Sequence, residues 1–203
     1  MIARLGDKLV KVSYLNLPKL PSAYQEVEYI ESTGTQYIET GITGGVEIKC
    51  IFQFTTTEAT GYWKIVGASG NVSDRPYGME VNYPTNTRVT FLEGGYNRDA
   101  VAFTTNKILY EREFNIVEGQ DTDTNEWIIF KSGTKGKLFY QEMIKNNLSI
   151  RKFVPCYRKS DNVIGLYDMA NNQFYTNAGT GTFLKGDDIN TVDTTFNFKV
   201  KEN

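Results

Sequence analysis

The sequence predicts an all-β fold, a sandwich or a barrel, on three observations. Aromatic residues make up 13% of the 203 positions, and 18 Gly against 5 Pro favour strands joined by tight turns over a helical bundle. Short strand candidates recur every 8 to 12 residues or so, divided by turn signals, with no convincing helical period. The clearest of them, VEIKCIFQF at 46–54, sets Val46, Ile48, Cys50, Phe52 and Phe54 at every second position. Glu47, Lys49 and Gln53 fall between them, with Ile51 the exception, which is the pattern of a strand covering a core with one face. The length suits one domain with terminal extensions.

In chain order, residues 1–21 hold a short β-like run, Lys8-Leu9-Val10-Lys11-Val12-Ser13, then Pro18 and Pro21, and read as an arm and linker outside the main core. Residues 24–42 contain two strand-like pieces about a Ser-Thr-Gly turn. A single helical turn is expected around 21–27. After 46–54, strands are expected at 63–68, 77–83, 88–92, 100–104, 107–115, 126–131 and 136–143. Turn signals such as Gly70-Asn71, Tyr83-Pro84 and Glu93-Gly94-Gly95 divide most of them. Residues 153–186 read as a hairpin: a run Val163-Ile164-Gly165-Leu166-Tyr167-Asp168, a reversal Met169-Ala170-Asn171-Asn172, and a return through Gln173-Phe174-Tyr175-Thr176. The two Asn at its tip tolerate the positive φ angles of a tight reversal. The domain so outlined spans 22–186, and the tail 187–203 ends in Phe196, Phe198 and Val200 alternating with polar residues, a last strand that closes the sheet or joins a neighbouring chain.

The net charge of −2 and scattered Lys and Arg argue against a nucleic-acid or anionic-membrane partner, since phosphate binding needs a basic surface. The start is too charged for a signal peptide, and no apolar run is long enough for a membrane helix, so the chain is expected to fold in a cytoplasm. Cys50 and Cys156 make no disulfide framework, and Cys50, inside an apolar alternation, reads as a buried free thiol.

Two segments carry a family resemblance. LPSAYQEVEYIESTGTQYIETGI near the start and KLFYQEMIKNNLSIRKFVPCYRKSDNVIGLYDMANNQFYTNAGTGTFLKG near the end resemble the concanavalin A-like, laminin-G-like modules of bacteriophage virion proteins and gut-bacterial surface proteins. The resemblance covers residues 20–186. It implies a jelly-roll β-sandwich of two antiparallel sheets, in which 136–143 is a back-sheet strand, Lys145, Asn146 and Asn147 a polar turn, and 153–156 the strand leading to the closing hairpin. It also implies a virion component or an adhesin, and the missing secretion signal favours the virion. The terminal extensions are then expected to attach the module to other virion chains or to further copies of itself, at the virion surface.

With no His and two Cys, Ser-His-Asp and Cys-His catalysis and thiolate or His-containing zinc sites are excluded. A glycosidase needs two acids across the sugar. Nothing reproduces the E-x-D-x-E pattern of related sandwich glucanases: Glu26 and Glu28 have the spacing but sit near a proline-rich entry, and Glu111 and Glu113 flank Arg112 without a third acid. The acidic stretch from Asp121 to Glu126 begins like a calcium loop and then fails the EF-hand template, with Glu126 in place of the turn glycine and Ser132 in place of the closing glutamate. No cofactor is expected. Sugar recognition would use exposed rings flanked by hydrogen-bonding groups, and the candidates are Tyr62, Tyr77, Tyr83 and the run Tyr96-Asn97-Arg98-Asp99, the last expected on a loop tip after a Gly-Gly turn. The function expected is a non-enzymatic virion surface protein, a capsid or tail decoration that binds host or mucosal glycans. The alternatives are a purely structural virion component and a polysaccharide-acting glycoside hydrolase.

Overall fold

The computed structural model describes residues 2–5, 8–11, 19–43, 47–54, 61–68, 78–83, 88–93, 96–102, 109–113, 126–131 and 133–189, with side-chain surroundings for 19–43, 126–131 and 133–189. All described elements are strands or turns. A short hairpin of β1 (Ile2–Leu5) and β2 (Lys8–Lys11) forms a sheet of its own. The remaining strands build two antiparallel sheets in a sandwich-like arrangement. One is six-stranded, in the order β10 (Tyr96–Ala102), β9 (Arg88–Glu93), β8 (Gly78–Tyr83), β7 (Gly61–Ala68), β12 (Glu126–Lys131), β5 (Ile38–Thr43). The other is nine-stranded and runs β11 (Leu109–Glu113), β6 (Glu47–Phe54), β13 (Lys135–Lys145), β14 (Leu148–Arg158), β15 (Val163–Asp168), β16 (Gln173–Thr176). Its three further strands are β3 (Tyr24–Glu26) on β14, β4 (Ile30–Thr33) on β13, and β17 (Leu184–Lys185) on β4.

The period of two at 46–54 is matched by the register. Ile48, Cys50, Phe52 and Phe54 pair with Met143, Gln141, Leu138 and Gly136 of β13, all four of them buried, and directly opposed residues share a sheet face. A β-bulge between Leu138 and Tyr140 shifts the parity of β13, so that Gln141 and Met143 turn inward while Tyr140 and Glu142 stay half-buried and hydrogen-bonded to each other at 2.6 Å. Burial and the bond from its own hydroxyl to Glu142 both raise the Tyr140 pKa, burial the more.

The core gathers Ile30, Ile38, Trp127, Ile129, Phe130, Leu138, Met143, Phe153, Leu166 and Phe183. Ile129 and Phe130 are consecutive yet both buried. Phe130 has φ 60°, a left-handed conformation costly for an aromatic residue, and the β12–β7 register skips it. That reversal of the pleat brings its ring to Phe183, 5.9 Å between centroids, and ties the six-stranded sheet to the segment after β16. The sheets are also joined where Arg151 Nε donates to the Thr40 carbonyl at 3.0 Å, and where Ala178 and Thr180 donate to the Tyr37 and Thr35 carbonyls. Gly179 lies between those two bonds. A Cβ there would fall 2.1 Å from the Thr35 oxygen, so only glycine lets the chains approach this closely.

The helical turn expected at 21–27 is a β-turn followed by strand β3. Tyr24 N–H donates to the Pro21 carbonyl at 2.9 Å, and Tyr24, Gln25 and Glu26 pair with Arg158, Tyr157 and Cys156. A segment this short has no local bonding to rival a strand partner, so the long-range ladder decides its form. On the same edge of β14, β13 runs only as far as Phe153, and β3 takes over from Cys156. Pro155 stands at the junction. It gives its carbonyl to Val27 N–H at 3.0 Å, and its missing N–H falls where the ladder changes partners. Residues 187–189 also belong to this sheet: Asp188 bridges Val27, and Ile189 N–H donates to the Glu26 carbonyl. The tail alternation at 196–200 lies outside the described residues.

Candidate functional site

The ring-bearing candidates fall on the six-stranded sheet, and its register divides them. Tyr62 lies in the row Tyr62, Asn82, Arg88, Ala102, with Tyr83 one step away opposite Gly61. Asn97 lies in the row Gly67, Gly78, Leu92, Asn97. Four residues of β8 and of β9 separate the rows, about 13 Å at the rise of a strand, the fifth residue of β7 being taken up by a bulge. Tyr62 and Tyr83 therefore sit together at one end of the sheet, with Tyr96, Asn97, Arg98 and Asp99 at the other. Tyr77 lies outside the described residues.

The run 96–99 is strand rather than loop tip. Tyr96 pairs directly with Glu93, leaving only Gly94 and Gly95 between them, and β10 begins there instead of at residue 100. Glycine permits so short a reversal. The register shifts between Asn97 and Asp99, so Arg98 is the extra residue of a β-bulge. Bulges on edge strands twist the strand and re-aim what it presents, and β10 is the edge of its sheet.

The acids considered for catalysis or calcium are placed differently. Glu126 Oε1 accepts from Gly41 N–H at 2.6 Å, which commits that carboxylate to tying β12 to β5, while 121–125 lie outside the described residues. Glu26 stands in β3 opposite Cys156, whereas Glu28 follows the strand, exposed, with Oε2 3.4 Å from Asp187 N–H. Glu111 and Glu113 lie in β11, the other edge of the nine-stranded sheet. Among the described residues no group of three metal-ligating side chains occurs, and no helix is long and apolar enough to cross a membrane.

Three side-chain clusters on the nine-stranded sheet were not visible in the sequence. Lys137 Nζ lies 4.1 Å from the Tyr29 ring centroid and donates to the Tyr29 hydroxyl at 3.0 Å, with Glu31 3.8 Å away and Phe139 edge-on to Tyr29. Burial lowers the Lys137 pKa, but the Tyr29 hydroxyl and the Glu31 charge outweigh it and leave it raised. Tyr157 Oη donates to Asp188 at 3.1 Å, and Lys185 pairs with the same carboxylate at 2.7 Å. The third cluster surrounds Asp168, fully buried, which accepts from Lys152 N–H (2.8 Å), Ala170 N–H (2.9 Å) and Asn171 Nδ2 (2.8 Å), with Arg151 Nε at 3.6 Å. The spacing Asp168-x-x-Asn171 is its one trace in the sequence, where it reads only as turn chemistry.

The cysteines do not form a pair. β13 separates β6 from β14, and Cys50 lies in the row of Phe153, three residues short of Cys156, so the two cysteines are about 14 Å apart, beyond the reach of a disulfide. Cys156 is buried, and that burial pushes its thiol up to about 12, which keeps it protonated and inert.

No protein-family model, no curated protein and no solved structure matches this chain.

Proposed function

We propose that the chain is a non-enzymatic bacteriophage virion surface protein, a capsid or tail decoration whose jelly-roll sandwich, concanavalin A-like in type, presents the β10 edge to host or mucosal glycans. The observation that carries this reading is the bulge at Arg98, which puts a ring, an amide, a guanidinium and a carboxylate into four consecutive positions of an edge strand. Stacking by Tyr96 and hydroxyl recognition by Asn97, Arg98 and Asp99 is the chemistry such a set offers a pyranose. Tyr62, on the same sheet face as Asn97 and about 13 Å away along the strands, forms a second contact for a longer chain of sugars, with Tyr83 on the opposite face and Tyr77 as a further ring. The terminal segments 1–21 and 187–203 serve attachment to other virion proteins.

A glycan array with the purified protein tests this. Binding that is lost in Tyr96→Ala and in Asn97→Ala, but kept in Glu111→Gln, is expected. Incorporation into particles with no glycan bound would leave the purely structural virion component as the answer. Release of reducing sugar from capsule or mucin glycans would instead identify a glycoside hydrolase. Deleting 190–203 is expected to lower occupancy on particles without affecting glycan binding.

A further inference from the structure

The segments flanking the sandwich leave it at one place. Residues 178–189 run antiparallel along 26–37 in a single register: Ala178 is bonded to Tyr37 and Thr180 to Thr35, Leu184 lies opposite Glu31, Lys185 opposite Ile30 and Asp188 opposite Val27, and Ile189 is bonded to Glu26. At Ile189 the chain is therefore travelling along β3 toward Tyr24. The incoming chain reaches the same point, because Tyr24 N–H closes a β-turn on the Pro21 carbonyl. Tyr24 and Glu26 are two residues apart, about 7 Å at the rise of a strand. The segment before β3 arrives where the segment after Ile189 departs.

Upstream of that point lies the hairpin of β1 and β2. It is a two-stranded sheet, and among the described residues β2 has β1 on one edge and nothing on the other. A two-stranded ribbon on its own is at best marginally stable in water, and a third strand is one remedy. In chain sense β2 leads toward the shared exit and the tail leads away from it. A tail strand beside β2 is thus antiparallel and needs no crossover connection. The tethers match in length: seven residues, 12–18, join β2 to Lys19, and seven, 190–196, join Ile189 to Asn197. Asn197-Phe198-Lys199-Val200 continues the alternation that begins at Phe196, the period of a strand.

We infer that residues 197–200 are the third strand of this hairpin, seated on the free edge of β2 in the same copy of the chain, with Asn197 beside Lys11 and Val200 beside Lys8. The sheet order is then β1, β2, tail, and the two terminal extensions form one element. Its use in attachment to other virion chains rests on the function proposed above. The pairing does not, and it is tested on the free protein.

The test is amide hydrogen exchange, read by mass spectrometry on peptides covering 8–11 and 197–200. The full chain is compared with a chain ending at Ile189 and with the double variant Phe198→Pro, Lys199→Pro. Successive residues of a strand point their N–H groups to opposite edges, so the double variant removes a ladder donor whichever edge faces β2. Protection of both peptides is expected in the full chain. Exchange at 8–11 is expected to speed up at least about tenfold in both altered chains, while 163–168 is unchanged. Equal exchange at 8–11 with and without the tail overturns the inference. Protection that falls on dilution, or a dimer in light scattering that dissociates when the tail is removed, also overturns it, because the tail then pairs with a second copy.

Discussion

Two hairpins of the nine-stranded sheet reverse the chain by different means. Between β13 and β14 the turn is Asn146-Asn147, with φ values of 52° and 60°, the pair of left-handed residues that matches the twist of the flanking strands. The turn residues are exposed, and so is Leu148 at 68%. Between β15 and β16 only Asn172 is left-handed, at 55°. The other tip residue, Asn171, works through its side chain, donating to Asp168 at 2.8 Å and to the Ile150 carbonyl at 2.7 Å. One reversal is specified by backbone chirality and the other by a buried carboxylate that collects donors from two parts of the chain, 151–152 and 170–171. The first is local and replaceable, while the second is bound up with Arg151 and hence with the opposite sheet.

Asp168→Ala is expected to have the largest effect in this comparison, a loss of about 3–5 kcal/mol in urea unfolding, because it strands two backbone N–H groups, an amide and a guanidinium. Asp168→Asn keeps the shape and should recover part of that loss. If Asp168→Ala costs no more than a turn substitution, the clamp does not hold the hairpin. Next comes Gly165→Ala. Its Cβ would lie 2.1 Å from the Tyr175 carbonyl oxygen, so β16 must shift, at about 3 kcal/mol, seen as a lower midpoint and faster amide exchange along 173–176. Asn147→Ala, which places a non-glycine Cβ in the left-handed region without Asn's tolerance for it, should cost about 1 kcal/mol, and Asn147→Gly nothing. Equal losses for the Ala and Gly variants would show that the Asn side chain, not φ, sets the first turn.

The smallest effect belongs to the exposed pairs Arg158–Asp161 and Lys185–Asp188. A hydrogen bond from the cation holds each Asp carboxyl below the usual carboxylate range. A folded-state pKa below the unfolded one contributes stability above about pH 4, lost as pH falls through the folded value. Solvent screening makes that contribution slight. Arg158→Gln is thus expected to leave Tm at pH 7 nearly unchanged, and a large drop in low salt would reveal coupling of this pair to the hairpin.

Local pattern reported the elements that local forces determine. The bounds of β12, β15 and β16 and the core-facing alternation of β6 follow from side-chain period and turn chemistry, while the polar turn at 146–147 is implied by the resemblance. The features that escaped were set at a distance. Nothing in Tyr24-Gln25-Glu26 announces a strand partner more than a hundred residues away, and the same three residues fit a helical turn equally well. The bulge at 138–140 exchanges the faces of β13, so an alternation read from Leu138 puts Gln141 outside when it is fully buried. Phe130 breaks its own strand's pleat because Phe183 offers its ring a place, which is tertiary information. For the candidate site, residue types were legible, but the division of the rings between two ends of the sheet required the register.

The exchange of partners at Pro155 has a consequence for how the molecule is made. Val27 waits for Pro155 and then for Asp188, a separation of 161 residues along the chain. At 5–20 residues per second, roughly 8–30 s pass between the synthesis of Val27 and that of its last partner. Until β13 and β14 are made, β3 and β4 have no edge to join, and contacts this remote slow folding once the partners exist. The charges at Glu26, Glu28 and Glu31 keep this waiting segment from the like-with-like strand pairing that leads to aggregation.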